Sequence, residues 1–466
     1  MKRILSTVAL MAAATSAQDG CANDRGNWYC ARVNAITYTE VGGEGTYNRV
    51  TNMDPYSGTC SSEPSGYSGT LSPLNEEVSL HVRGPTILKQ FAAYAPGEPS
   101  AKKSKRSEHA RRQAHGAKHA HHGHPHEKRA VGDMVTATIN GLVQTWVNTY
   151  DGLPSEPSAV EVPPLGDSRL VSPAADGEYE PAPSEEDPPA PSADYAPEIA
   201  YSGAPSSSKG SVWDVASPGD GWGRSAYFDA SSAVAEGMVF LYHFGGQGSG
   251  TFDYSFGNSL SYASCDAQAG ASSPQVLEDC ELPSGREVVL MTNETCEDGS
   301  CGYTRPGTVA HHGFAGSRKA FFFEFQMPDT GETSEDAYDP VNMPAIWMLN
   351  AQIPRTLQYG NADCSCWTSG CGEFDIFEVL ASGDSRAKST LHGNRAGGDS
   401  NYFDRPVDAP IKVGVVMYDD NIHIKILDSS MEFPSVMDEA TINDILGSTL
   451  TQNSMVSLFR VADVSG

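Results

Sequence analysis

Six residues late in the chain, Glu373-Phe-Asp-Ile-Phe-Glu378, constrain its fold more than any other feature. Phe374, Ile376, Phe377 and Val379 favour a buried β-strand. The same run carries three carboxylates, Glu373, Asp375 and Glu378. Side chains of a strand alternate faces, so Glu373 and Asp375 point one way and Glu378 should point the other. One β-bulge between Asp375 and Glu378 returns Glu378 to the shared face. Three acids then line a groove while the aromatic and branched residues pack behind them.

That arrangement suits glycoside hydrolysis with retention. One carboxylate attacks the anomeric carbon, and a second protonates the leaving oxygen and then activates water; the two stand about 5–5.5 Å apart. Four pleated residues span roughly 13 Å, so strand curvature and converging side chains must close the difference. The alternative use of such a triplet is a solvated face or a ledge for structural calcium.

The run resembles the ExDxxE signature of glycoside hydrolase family 16, the laminarinase-like β-jelly rolls, in its bulged form. Pro344-Ala-Ile-Trp-Met-Leu349 resembles that family's PAIWML strand. Trp367 and Gly372 resemble its Trp and Gly before the first Glu, and Leu391-His392-Gly393 its later His-containing strand. By that resemblance Glu373 is the nucleophile, Glu378 the general acid/base, and Asp375 the carboxylate that holds protonation and orientation between them. Trp347, Trp367 and His392 are the implied substrate contacts. Trp367, beside Cys, Gly and Ser, is the expected stacking surface, whereas Trp347 alone is more often core than sugar platform, and His392 reads equally as a satisfied histidine on a jelly-roll strand. The departure from the pattern is Cys371 and the cluster Cys364, Cys366, Cys371 just upstream.

The 466 residues allow two or three domains, and a formal charge of −28 argues against nucleic acid, whose phosphates require a basic footprint. Residues 1–17 read as a signal peptide: Lys2 and Arg3, an apolar run too short to span a bilayer, then Thr15-Ser16-Ala17. An exported protein is expected, without a membrane anchor and, at Val461-Ala-Asp-Val-Ser-Gly466, without the hydrophobic tail of a GPI signal. Ten cysteines then form a disulfide framework, and Asn293-Glu-Thr295 is a glycan acceptor. Three cysteines precede the central linkers and seven follow, so either one bridge joins the halves or each keeps a free thiol.

Residues 18–100 show short alternating strands, such as Val78, Leu80 and Val82 against Ser79, His81 and Arg83, and read as a small Cys-containing β-module. Within it, Asn27-Trp-Tyr-Cys30, Thr51-Asn-Met-Asp54 and Ser61-Ser-Glu-Pro64 resemble the amino-terminal domain of the fungal "target of SBF" cell-wall proteins, which also carry the acid motif in a carboxy-terminal domain. Residues 101–130 form a basic, His-rich linker; residues 102–129 hold nine Lys or Arg and seven His, and Lys128-Arg129 is a dibasic processing site. Residues 131–150 carry a hairpin signal at Asn140-Gly141. Residues 151–209 are an acidic, Pro-rich spacer too polar to build a core.

From 210 to 466 the composition is globular again. Phe321, Phe323 and Phe325 alternate with Glu324 and Gln326, and Ile422, Ile424 and Ile426 with His423 and Lys425. Many short alternating strands indicate a β-sandwich of jelly-roll type; one helix is expected at residues 439–446. The fold class is therefore all-β: a carboxy-terminal jelly roll plus a small amino-terminal β-module, joined by disordered linkers. The resemblances imply a secreted, wall-associated endo-β-1,3-glucanase acting on β-glucan without a cofactor. The rivals are a β-glucan transglycosylase and a non-catalytic glucan-binding wall protein.

Overall fold

The computed structural model describes residues 21–97, 134–139, 142–147, 221–297, 299–334, 339–451 and 453–463. The expected signal peptide, both linkers and the Lys128-Arg129 site lie outside them. The strands expected around Asn140-Gly141 are present, Met134–Ile139 pairing with Leu142–Val147 in a two-stranded sheet.

After a short ribbon that pairs Ala22–Asp24 with Asn27–Tyr29, the chain lays down β1 (Ala35–Thr39), the long paired hairpin β2 (Gly43–Asp54) and β3 (Thr59–Gly69), then β4 (Val78–Arg83) and β5 (Ile87–Pro96). After the central segment come β6 (Trp222–Asp229), β7 (Met238–Tyr242), β8 (Glu287–Thr292), β9 (Lys319–Gln326) and β10 (Ala345–Asn350). The acid strand β11 (Glu373–Glu378) precedes β12 (Arg386–His392), β13 (Ile411–Tyr418), β14 (Asn421–Leu427) and β15 (Val456–Arg460). One sheet runs β6-β5-β9-β13-β14-β1-β15 and the other β7-β8-β4-β10-β11-β12.

Period-two alternation sets the inner faces. Phe321, Phe323, Phe325, Val413, Val415 and Met417 of the first sheet meet Leu80, Val82, Val288, Leu290, Ile346, Met348 and Phe374 of the second in one core. The outer face of the first sheet is closed by the helix Glu439–Leu450, whose Ile442 and Ile445 pack with Phe322, Tyr94 and Val416. Asp438 starts that helix by accepting the Thr441 amide at 2.8 Å. On the outer face of the second sheet Val239, Leu241, Val289 and Met291 pack with Leu260 and Ala351, and Trp347 and Leu349 with Tyr47, Ile353 and Cys371; the same face carries the polar residues followed below.

The all-β sandwich is as expected, but the division into an amino-terminal module and a separate jelly roll is corrected. β4 lies between β8 and β10, with Val82 opposite both Val288 and Ile346. β5 lies between β6 and β9, and β1 between β14 and β15. Amino-terminal strands therefore sit inside both sheets, because their apolar sets find partner faces only on strands that follow the central segment. A disulfide adds to this: Cys60 of β3 is bonded to Cys364, ahead of the acid strand. Three further bridges join Cys21 to Cys30, Cys296 to Cys301 and Cys366 to Cys371, and Cys265 and Cys280 are thiols.

Candidate active site

The register of β11 shows how three acids come to share a face. Against β12, Asp375 stands opposite Thr390 and Glu378 opposite Lys388, so three steps on one strand face two on the other. Against β10, Asp375 faces Trp347 while Phe377 faces Ile346. The extra residue is a β-bulge, and it sends the consecutive Ile376 and Phe377 both into the core. Glu373, Asp375 and Glu378 are left on the opposite face. Only Asp375 of the three is fully buried, at 6% exposure.

Each acid has its own partner. The Trp367 indole N–H donates to Glu373 Oε2. His392, opposite Glu373 on β12, sets its Nε2 2.9 Å from Asp375 Oδ2. Arg83, reaching in from β4, donates through Nη2 to Glu378 Oε1 at 3.2 Å and through Nε to the Met343 carbonyl at 2.9 Å. Trp367 is held over Glu373 by a short loop closed by the Cys366–Cys371 disulfide, which turns at Gly370 with φ 90°.

The electrostatics follow from crowding. Burial, and then the neighbouring Asp375 charge, push the carboxyls of Glu373 and Glu378 well above the usual carboxylate range. The Trp367 N–H and the Arg83 guanidinium offset this only in part. Burial works against a charged His392, but the carboxylates of Asp375, Glu373 and Glu378 outweigh it and raise the imidazole to about 9. The site therefore holds an imidazolium–carboxylate pair between two glutamates that resist ionising together. A carboxyl pair that keeps one proton is equipped for nucleophilic attack by one member and proton transfer by the other.

Of the expected substrate contacts, Trp367 is 46% exposed and offers a free indole face. His392 pairs with Asp375 and keeps its side chain 40% exposed. Trp347, expected as a substrate contact, is corrected: it is only 5% exposed, stacked on His81 at 5.1 Å and covered by Arg83 at 5.6 Å. It packs with Tyr47, Leu349 and Cys371 and braces the floor of the site. Asn293 is exposed directly after β8.

Sequence reasoning passed over the β4 and β8 contribution. His81 Nδ1 lies 2.6 Å from Glu287 Oε1, and Ser79 Oγ lies 2.7 Å from His81 Nε2. Glu287 also accepts from Gln358 Nε2 at 2.8 Å and from the Tyr359 hydroxyl at 2.6 Å. The alternation of Ser79, His81 and Arg83 was the available signal, but alone it describes any strand with one wet face.

Comparison with known proteins adds the class. Residues 220–445 match the family described as "Cell wall protein YJL171C/Tos1, C-terminal", and residues 34–96 match its N-terminal counterpart. The chain belongs to this Tos1 cell-wall protein family. Among its relatives is a protein of Arthroderma benhamiae named "Probable circularly permuted 1,3-beta-glucanase", 40% identical over 95% of this chain and 96% of its own length. Proteins of Candida albicans and Saccharomyces cerevisiae, each named "Probable circularly permuted 1,3-beta-glucanase TOS1", are both 39% identical. They cover 94% and 88% of this chain and 96% and 90% of their own lengths, respectively. No solved structure matches.

Proposed function

We propose that this chain is a secreted cell-wall endo-β-1,3-glucanase that cleaves β-glucan with retention of anomeric configuration, by the chemistry of the laminarinase-like glycoside hydrolases. The observation that carries the reading is the bulge between Asp375 and Glu378, which turns both glutamates to one face with the Asp375–His392 pair between them. The relatives named as probable 1,3-β-glucanases supply the substrate class.

In the first step Glu373 attacks the anomeric carbon while Glu378 gives its proton to the departing glycosidic oxygen, leaving a glycosyl ester on Glu373. Glu378, now a carboxylate, takes a proton from water as its oxygen attacks the same carbon and displaces Glu373. The proton that Glu378 gives up departs with the released alcohol, and the one taken from the attacking water replaces it, so the acid is restored for the next turnover. Asp375, pinned by His392, sets its carboxyl between the two glutamates, where it faces the positive charge that develops on the carbon. Trp367 presents an indole face on which the apolar face of a glucose ring stacks.

The same reading gives the chain a signal peptide at residues 1–17, a glycan at Asn293 and processing at Lys128-Arg129. A cut at that dibasic pair leaves the halves joined through Cys60–Cys364.

The test is incubation of the purified protein with β-1,3-, β-1,4- and mixed-linkage glucans, followed by product sizing and by NMR of the first anomer released. Short β-configured products from β-1,3-glucan are expected. Products longer than the substrate would move the reading to transglycosylation, and binding without turnover would leave a glucan-binding wall protein.

A further inference from the structure

Away from the acids, two hairpin tips meet and hold three large aromatic rings in water. Tyr56, in the turn between β2 and β3, is 98% exposed; Phe252 and Tyr254, in the hairpin that runs to Asn258, are 50% and 100% exposed. The Phe252 and Tyr254 rings pack edge to face at 5.4 Å. Ser255 Oγ donates to the Pro55 carbonyl at 2.7 Å and so ties one tip to the other.

The tips are rigidly supported. Asp253 accepts the amides of Ser255 and Phe256 at 3.0 and 2.7 Å. It also accepts Arg305 Nη2 at 2.6 Å, and the same buried guanidinium donates to the Gly257 carbonyl at 2.6 Å. Beneath, Phe256 packs with Val50, Met53, Leu357 and Cys364. Those last two residues belong to the segment that carries Tyr359, bonded to Glu287, and Trp367, bonded to Glu373. The exposed rings are thus built on the outer side of the same loop whose inner side forms the rim of the acid site.

A buried arginine fixes the backbone of the hairpin that carries Phe252 and Tyr254, the three rings stand outside the core, and an exposed aromatic patch on a supported backbone is the mark of a binding surface. A β-linked glucopyranose has its ring hydrogens axial, so each sugar shows two apolar faces edged by hydroxyls. Tyr56 and Tyr254 match this with an apolar ring and a hydrogen-bonding tip. A chain of charge −28 suits a neutral polymer better than an anionic one.

We propose that Tyr56, Phe252 and Tyr254 form an accessory platform that holds a distant stretch of the same β-glucan chain that occupies the acid site. This rests on the glucanase reading. Its purpose is linkage: once one stretch of polymer is seated, binding of the second is intramolecular, so long chains gain affinity that short oligosaccharides cannot.

The test compares Glu373→Gln full-length protein with the same protein also carrying Tyr56→Ala, Phe252→Ala and Tyr254→Ala, by binding isotherms on insoluble β-1,3-glucan. The triple change is expected to weaken polymer binding about 10–100-fold. In the active background it should raise KM for the polymer and leave turnover of a short β-1,3-oligosaccharide unchanged. Circular dichroism and an unchanged Tm confirm folding of the variant. Equal polymer binding by the two proteins overturns the platform. Absence of glucan binding by Glu373→Gln itself overturns the glucanase reading instead. Loss of self-association in sedimentation, with polymer binding intact, makes the patch a protein contact and also overturns the platform.

Discussion

Two sets of acids share one face of the second sheet and are driven in opposite directions. Burial penalises the charge of Glu287 as it does that of Glu373 and Glu378. At Glu287 the His81 imidazole, the nearby His243 and the Tyr359 hydroxyl overcome that penalty and hold the carboxyl down at about 2. At the other two, the Asp375 charge adds to the penalty instead. Partners, not depth, decide whether a buried carboxyl is a fixed charge or a mobile proton. Glu287 is suited to bracing His81 and the Trp347 ring it supports, and the Glu373–Glu378 pair to chemistry.

The sharpest way to break this contrast is to remove the mobile proton. Glu373→Gln or Glu378→Gln should lower kcat on β-1,3-glucan by about 10⁴-fold, while leaving glucan binding within a few-fold of the parent. Azide should restore turnover to Glu373→Ala as an α-glycosyl azide and to Glu378→Ala as a β-azide, which separates nucleophile from acid/base. Near-parent turnover in either Gln variant removes the assignment.

Next in size is the pair between them. His392→Gln and Asp375→Asn should each lower kcat about 10²-fold and narrow the pH profile, since both change the charge that sets where the glutamates titrate. A loss confined to Tm, with kcat and pH profile unchanged, would reduce both residues to structural props.

How much of this is legible in the sequence differs from residue to residue. The acid strand, its bulge and the Phe321–Phe323–Phe325 face were readable because a period of two and its single interruption are local properties. The helix was found at Glu439 but ended four residues early, at 446 instead of Leu450. What was not readable was partnership. Nothing local to Val78–Arg83 says that it lies between strands some two hundred residues further on, so Arg83 and His81 were left on an anonymous wet face. The odd cysteine counts left open a bridge between the halves, but only proximity in the fold identifies Cys60 and Cys364. Trp347 misled for a related reason: its motif marks the strand, whereas its exposure is set by His81 and Arg83 from the far end of the chain.

A third effect falls on stability. Glu287→Gln removes a charge whose pKa is lowered on folding, so the native state binds fewer protons than the unfolded one between the ordinary carboxylate range and about 2. The stability supplied by that charge is fully present above the ordinary range and lost as pH falls through about 2. Urea unfolding should therefore show Glu287→Gln less stable by about 2–3 kcal/mol at pH 7, with the gap closing towards pH 2. A gap that stays constant with pH would mean that shape, not charge, holds His81.

The smallest effect carries the opposite sign and completes the contrast. The carboxyls of Glu373 and Glu378 have raised pKa values in the fold, so above the ordinary carboxylate range the native state binds more protons than the unfolded one. Stability then falls as pH rises from that range towards the folded-state value, because deprotonation favours the unfolded chain. Replacing Glu378 by Gln removes the charge without removing the shape. The variant should be more stable than the parent by on the order of 1 kcal/mol at pH 7.5 and equal to it near pH 4. The same substitution that abolishes turnover would thus raise Tm, whereas Glu287→Gln lowers it. A Glu378→Gln variant less stable than the parent at every pH would show that the Arg83 ion pair outweighs the crowding, and would place Glu378 with Glu287 among the fixed charges.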